Sequence, residues 1–326
     1  MSIEDKARQT SLSGCRVAVI GARGIGRHHA NWWSLSGADV CAIVGTVSAS
    51  VAESAAALRT MFRFGGRTYT DVGDMLRTER PTIVDVCSPP AWHYEHVQAA
   101  LTAGAHVLCE KPFLYDAALP QAELLRQAET LLAAAAARGQ RLALCSQYYV
   151  VAGMCLRLYE RLQGRQAIRE IGAELASPVR GRVEQGQATW VDLGPHLLAA
   201  VQALVPGADL DANTLSVEFA PGVARCAFVV RRGPEAVPCR LHVHRTEGEP
   251  SHVRKLSING VDFDLQGFRD QSGVYRARIV SGAEFDVGDD PMHTLIRAMG
   301  CGRAALAGAG VLQNQAWLLA VLGRSR

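Results

Sequence analysis

Between Arg16 and Ser146 the chain repeats one pattern. Short apolar runs (Arg16-Ile20, Val40-Gly45, Ile83-Cys87, Ala105-Cys109, Leu142-Ser146) are separated by longer amphipathic segments over 24–36, 50–61, 72–78, 92–103 and 120–137. Strands that are apolar throughout have no wet face, so they belong in a parallel sheet covered by helices on both sides. The 326 residues allow roughly two domains, and apolar residues at 48% are enough to fill both cores.

The pattern changes near Gln147. Helices are expected at 150–163 and 195–205, then alternating runs at 215–219, 226–231, 239–245, 253–258 and 276–280, and closing helices at 292–299 and 313–322. In Cys239-Arg245, Leu241 and Val243 point one way while Arg240, His242 and His244 point the other, as in an antiparallel sheet with one wet face. The expected division is therefore 1–148, an α/β domain with a doubly wound parallel sheet, and 149–326, an α+β domain with an open, mainly antiparallel sheet. The last helix is expected to pack back on the first domain.

Several functions are excluded on composition. A net charge of +3 with scattered Arg residues gives no nucleic-acid footprint. No uncharged apolar stretch reaches the roughly 20 residues of a membrane span. Residues 1–13 read as a polar leader without a signal-peptide core. The nine Cys include no C-x-x-C pair, so no metal centre is expected, and buried reduced thiols suit a reducing cytoplasm.

Chemistry enters at Gly21-Ala22-Arg23-Gly24-Ile25-Gly26, which joins the first strand to the first helix. Such a turn aims backbone N–H groups and the positive end of a helix dipole at a pyrophosphate. The middle position of G-x-G-x-x-G is Arg23, whose guanidinium can meet a phosphate only by swinging out. At the end of the second strand, where a carboxylate would read the ribose of NAD, the text is Gly45-Thr46-Val47-Ser48. Thr46 and Ser48 leave room for a 2′-phosphate. NADP is favoured, with NAD as the alternative.

Three further segments follow: Ser88-Pro89-Pro90 with His93 on the next helix, Glu110-Lys111-Pro112, and Asp192 to His196. With the glycine turn and His29-Ala30 behind it, they resemble the Gfo/Idh/MocA oxidoreductases in order and spacing. The resemblance implies a Rossmann domain, an open-faced α/β domain, an active site in the cleft between them, and hydride transfer at a carbon bearing oxygen or nitrogen. It makes Lys111 and His196 the residues where substrate meets the nicotinamide. Lys111 at a strand's carboxyl end can polarise a carbonyl, and His196 can exchange a proton near neutral pH.

Gly194-Pro195 reads as a helix start, which puts His196 in a first turn and Asp192 just before it, where Asp192 can orient the ring. Glu110 is expected to brace Lys111 or its loop, and Gln147 to meet the nicotinamide ribose. Tyr148, Tyr149 and Trp190 are expected on the substrate side, favouring a flatter substrate than a free sugar. His28, His242 and His244 read as without special function. The expected activity is NADPH-dependent reduction of a ketone or imine in a specialised biosynthetic pathway. The alternatives are a sugar or cyclitol dehydrogenase and, from another class, a non-catalytic NAD(P)-binding regulator. The expected partners are a small-molecule substrate and further copies of the chain, as a homodimer or homotetramer packed through the wet sheet face.

Overall fold

The computed structural model describes residues 12–179, 181 and 183–324. Most of the leader expected over 1–13 lies outside them. The chain divides into two compact units: the first runs to Cys145 and takes back Met292–Leu312, and the second comprises Ser146–Pro291 with the residues from Gln313 onward. The boundary falls at 145/146 rather than 148/149. The sixth strand stops at Cys145, and Ser146 is already the N-cap of the next helix.

The first unit is built on β1 (Arg16–Ile20), β2 (Asp39–Val44), β3 (Arg67–Tyr69), β4 (Ile83–Val86), β5 (His106–Glu110) and β6 (Leu142–Cys145). Their order is β3-β2-β1-β4-β5-β6, every pairing parallel. This is the doubly wound order, in which the chain reverses direction between β1 and β4 and opens a crevice at their carboxyl ends. The connecting helices are α1 (Ile25–Leu35), α2 (Ser48–Phe62), α3 (Val72–Glu79), α4 (His93–Thr102) and α5 (Gln121–Ala137). α1 shows why they pack: Gly26, His29, Ala30 and Trp33 recur at helical spacing, and all four are buried. α3 starts at Asp71, whose Oδ1 accepts from the Asp74 amide at 2.7 Å. The free edge of β6 is partly closed by 306–307, where the Leu144 amide donates to the Leu306 carbonyl at 2.8 Å.

In the second unit, α6 (Gln147–Gln163), β7 (Ile171–Pro178), α7 (Gly186–Leu204), β8 (Asp209–Ala220), β9 (Val223–Arg232), β10 (Glu235–Thr246), β11 (Val253–Ile258), β12 (Val261–Arg269), β13 (Tyr275–Ser281) and β14 (Glu284–Asp289) follow in sequence. The sheet order is β14-β13-β12-β11-β7-β10-β9-β8. Of its named pairings only β7 with β10 is parallel. One face is covered by α6, lying along β11 to β14, and by α7, lying along β7 to β10. Ile171, Ala173, Leu175, Leu241 and Val243 meet Trp190, Leu197 and Val201 there. Each such side chain contributes about 1.5–3 kcal/mol when buried. The other face alternates partly exposed and polar, as the sequence pattern requires. The last helices are α8 (Pro291–Gly300) and α9 (Ala309–Gly323). Among the described residues no helix is long and apolar enough to cross a membrane.

Candidate cofactor cleft and proton-transfer residues

A cleft of about 710 Å³ opens in the first unit at the carboxyl ends of β1, β2 and β4. Gly21, Ala22, Arg23 and Gly24 form one wall, Gly45, Thr46, Ser50 and Ser54 a second, and Cys87, Ser88, Pro89, Trp92 and His96 a third. Two glycines are required by geometry. Gly21 has φ +87°, and a Cβ there would stand 2.6 Å from the Cys87 carbonyl oxygen. A Cβ on Gly26 would stand 2.2 Å from the Gly21 carbonyl oxygen, so the helix could not approach the strand. Gly24, at φ +57°, is the N-cap and touches nothing within 4 Å of its missing Cβ. Arg23 is exposed, in keeping with a side chain that leaves the backbone clear. This cradle fits a dinucleotide: the backbone comes close where only glycine leaves room, and a helix starts beside it.

Among the described residues the cleft lining contains no Asp or Glu, and Arg23 is its one permanent cation. Of the residues singled out in the sequence, Gly21, Arg23, Gly24, Thr46, Ser88 and Pro89 line it, whereas Ile25, Gly26, Ser48, Pro90, His93, Glu110 and Lys111 do not. Gln147 opens α6 in the second unit. His96 was missed in the sequence. Its Nδ1 lies 2.9 Å from Ser88 Oγ and its ring stacks on Trp92. Burial, then the neighbouring His93, hold His96 down to about 4, so it lines the cleft as a neutral ring.

His93 is a brace rather than a cofactor contact. It is fully buried, with Nε2 2.7 Å from the Ser88 carbonyl and Nδ1 3.0 and 2.9 Å from those of Pro112 and Phe113. It therefore ties the Ser88-Pro89 loop to the loop after Lys111. Lys111 follows β5 and is partly exposed.

Behind Glu110 lies a buried polar cluster that the apolar reading of β4 concealed. His29 is completely buried, with Nδ1 3.0 Å from Asp85 Oδ2 and Nε2 3.3 Å from Glu110 Oε1. Trp33 Nε1 donates to the same Asp85 oxygen at 2.6 Å. Cys87 Sγ lies 3.3 Å from Nδ1 and Cys145 Sγ 3.8 Å from Nε2. Burial pushes the imidazole toward neutrality, but the polar groups packed around it, with the charge and hydrogen bond of Asp85 among them, outweigh it and hold its pKa well above the usual value. The thiols Cys87 and Cys109 are pushed up by burial and, next, by the nearest carboxylate, which leaves them unreactive.

In the second unit the expectation for His196 needs correction. The helix starts at Gly186, not at Pro195, so Pro195 lies inside it and His196 in its middle turns. The N-terminal dipole field, which fades within the first turn, does not act on this ring. Instead His196 Nδ1 meets Ser146 Oγ at 3.0 Å, and the Tyr148 ring lies 5.2 Å away, tilted 40°. The Tyr148 hydroxyl is buried with no hydrogen-bond partner among the described residues, and burial raises its pKa. Tyr149 is partly exposed. Asp192, one helical turn before His196, is paired with Arg245 at 2.7 Å, and Arg245 also holds Glu184.

Trp190 is also corrected. It is fully buried in the core of the second unit, donates from Nε1 to the Leu318 carbonyl at 3.4 Å, and so presents no surface to a substrate. Gly194 makes room for it, since a Cβ there would come 2.6 Å from the indole ring.

Comparison with known proteins agrees with this geometry. Residues 15–145 match the family model Gfo/Idh/MocA, described as an oxidoreductase family with an NAD-binding Rossmann fold. D-Glucoside 3-dehydrogenase of Escherichia coli (strain K12) is 35% identical over 109 residues, 33% of this chain and 29% of that protein. The chain thus aligns with only about a third of that relative's length. Among solved structures, a UDP-N-acetylglucosamine 3-dehydrogenase from Acidithiobacillus ferrooxidans superposes with a TM-score of 0.71 at 21% identity, covering 94% of this chain and 96% of that one. A 3-ketoreductase from Actinomadura kijaniata, in complex with NADP and TDP-benzene, gives 0.68 at 20% identity, covering 94% and 97%. Each likeness is one of fold, over 94% of this chain. The glycine cradle, the strand order and the family match agree on one point: residues 15–145 match the NAD-binding Rossmann domain of the Gfo/Idh/MocA oxidoreductase family.

Proposed function

We propose that the chain is a nicotinamide-dependent oxidoreductase that prefers NADP and reduces a ketone or imine. The observation that carries this reading is the cleft at Gly21 to Gly24, with its glycine cradle, its small hydroxyl side chains and its lack of a carboxylate. Gly21 to Gly24 and Ser88-Pro89 would hold the pyrophosphate and its neighbours. Thr46, Ser50 and Arg23 would accept a 2′-phosphate, which an acidic residue would repel. When bound, the reduced nicotinamide supplies a hydride to the substrate carbon. The chain supplies the proton and the charge. Lys111, an ammonium at a strand's carboxyl end, polarises the substrate oxygen or nitrogen. His196, held by Ser146, gives up the proton. Asp192, fixed by Arg245, serves His196 as a positioning group from one turn away.

A second reading, oxidation or reduction at a sugar carbon, is supported by the relatives. Their names place the chemistry at position 3 of a glucoside, of UDP-N-acetylglucosamine, or of a keto substrate. NADPH and NADH titrated by fluorescence, followed by absorbance screens of ketone, imine and polyol panels, decide between the readings. Lys111→Ala and His196→Ala are each expected to lower kcat by about 10²–10⁴ with cofactor affinity kept. Full activity in both variants would overturn the mechanism. Cofactor binding without turnover on any panel would favour a regulator.

A further inference from the structure

The open face of the second unit's sheet brings three ligand-type side chains to one point. His242 and His244 are two residues apart on β10 and so project from the same face. β7 runs parallel beside them, with Glu174 in register with His242. Glu174 Oε1 lies 3.4 Å from His242 Nδ1 and 3.1 Å from His244 Nε2. The two rings stack with centroids 4.6 Å apart.

We propose that Glu174, His242 and His244 form a binding site for a divalent transition metal of the zinc class. Two imidazoles and a carboxylate are a zinc donor set. Ligand atoms sharing a tetrahedral zinc at their usual bond lengths stand about 3.3 Å apart, which is where the two edges at Glu174 lie. All three donor atoms fall within 4.8 Å of one another. The residues are 20–33% exposed, which leaves a further position for water. Among the described residues His242 Nε2 has no hydrogen-bond partner, so none of them holds its ring away from the metal. The cations nearby are themselves paired, Arg225 with Glu218 at 3.2 Å and Arg240 with Glu170 at 3.7 Å. The location gives the ion a mechanical role: β7 and β10 form the sheet's one parallel junction among the described strands, and parallel pairing is slightly weaker per residue. An ion held by Glu174 and the two histidines would clamp it.

The test uses the tag-free chain, stripped with chelator and desalted. Zn²⁺ is titrated calorimetrically, Co²⁺ is followed by visible absorption, and thermal unfolding is recorded with and without Zn²⁺. The proposal expects one equivalent bound, a cobalt spectrum of nitrogen and oxygen ligation, and a Tm raised by Zn²⁺. His242→Ala, His244→Ala and Glu174→Gln should each weaken binding by more than about tenfold and remove the Tm rise, while His252→Ala should change neither. It is overturned if no stoichiometric metal binds or if the three variants bind as the parent does. An intense thiolate-to-cobalt charge-transfer band would also overturn it, because the ligands would then be the cysteines around His29. None of these readouts depends on cofactor or substrate, so the outcome stands apart from that of the proposed activity.

Discussion

Each unit buries a histidine close to a residue proposed for the chemistry, and the two are held in opposite ways. His29 sits between carboxylates, Asp85 on one side and Glu110 on the other. Ionised carboxylates only accept hydrogen bonds, so this setting rewards a ring that donates from both nitrogens. His196 has a hydroxyl on Nδ1, from Ser146, and an aromatic ring at its side. A hydroxyl can donate or accept, so it suits either protonation state of the ring. The lesson is that burial alone does not decide what a histidine does. His29 is locked in one charge state and serves as structure. His196 has in Ser146 a partner that suits either state of the ring, as the proton-transfer role proposed for it requires.

The strongest way to break this comparison is to remove the locked ring. His29→Asn leaves two buried carboxylates facing one another, and stability should fall by about 3–5 kcal/mol, read by urea unfolding. The sign with pH follows from the raised folded-state pKa. The folded state holds the proton more tightly than the unfolded chain, so the contribution of His29 is fully present below about pH 6.5, the unfolded value. It is lost as pH rises from there through the folded value. Wild-type stability should therefore decline on the alkaline side, and the decline should be smaller in His29→Asn. Equal slopes in the two proteins would show that the ring is not charged when folded.

The glycine turn and the parallel sheet were legible in the sequence because each rests on local rules. Gly21 and Gly26 are demanded by backbone contacts a few residues away, and apolar runs between helices admit few other arrangements. The His29 cluster was not legible. Asp85 sits in the apolar run Ile83-Val86, and nothing local says that its partners come from α1 and β5. β7 was missed for a related reason: its apolar face is only Ile171, Ala173 and Leu175, Gly172 and Glu174 lie on the open face, and its strand character comes from the pairing with β10 and β11. α7 was read as starting at Pro195 because proline favours a first turn. Here the burial of an almost wholly apolar helix outweighs the lost hydrogen bond, and the helix runs back to Gly186.

Correcting that helix sharpens the second half of the comparison. His196 is placed by packing, and Trp190 over Gly194 is the nearest part of that packing. Gly194→Ala is favourable by helix propensity alone. It should nonetheless cost about 1–3 kcal/mol, because the methyl group must displace a buried indole. A thermal shift toward higher Tm would show that the ring yields easily and that Gly194 does not fix the helix.

The smallest effect is expected at the hydroxyl itself. Ser146→Ala removes the Nδ1 partner of His196 and leaves the fold intact, with a stability cost of about 1 kcal/mol. If the hydroxyl matters because it suits both states of the ring, the loss should fall on turnover. We expect kcat to drop by about fivefold, about the value of one hydrogen bond, with NADPH affinity unchanged. A drop in NADPH affinity with kcat preserved would assign Ser146 to the cofactor instead. The contrast between a locked and a poised histidine would then rest on His29 alone.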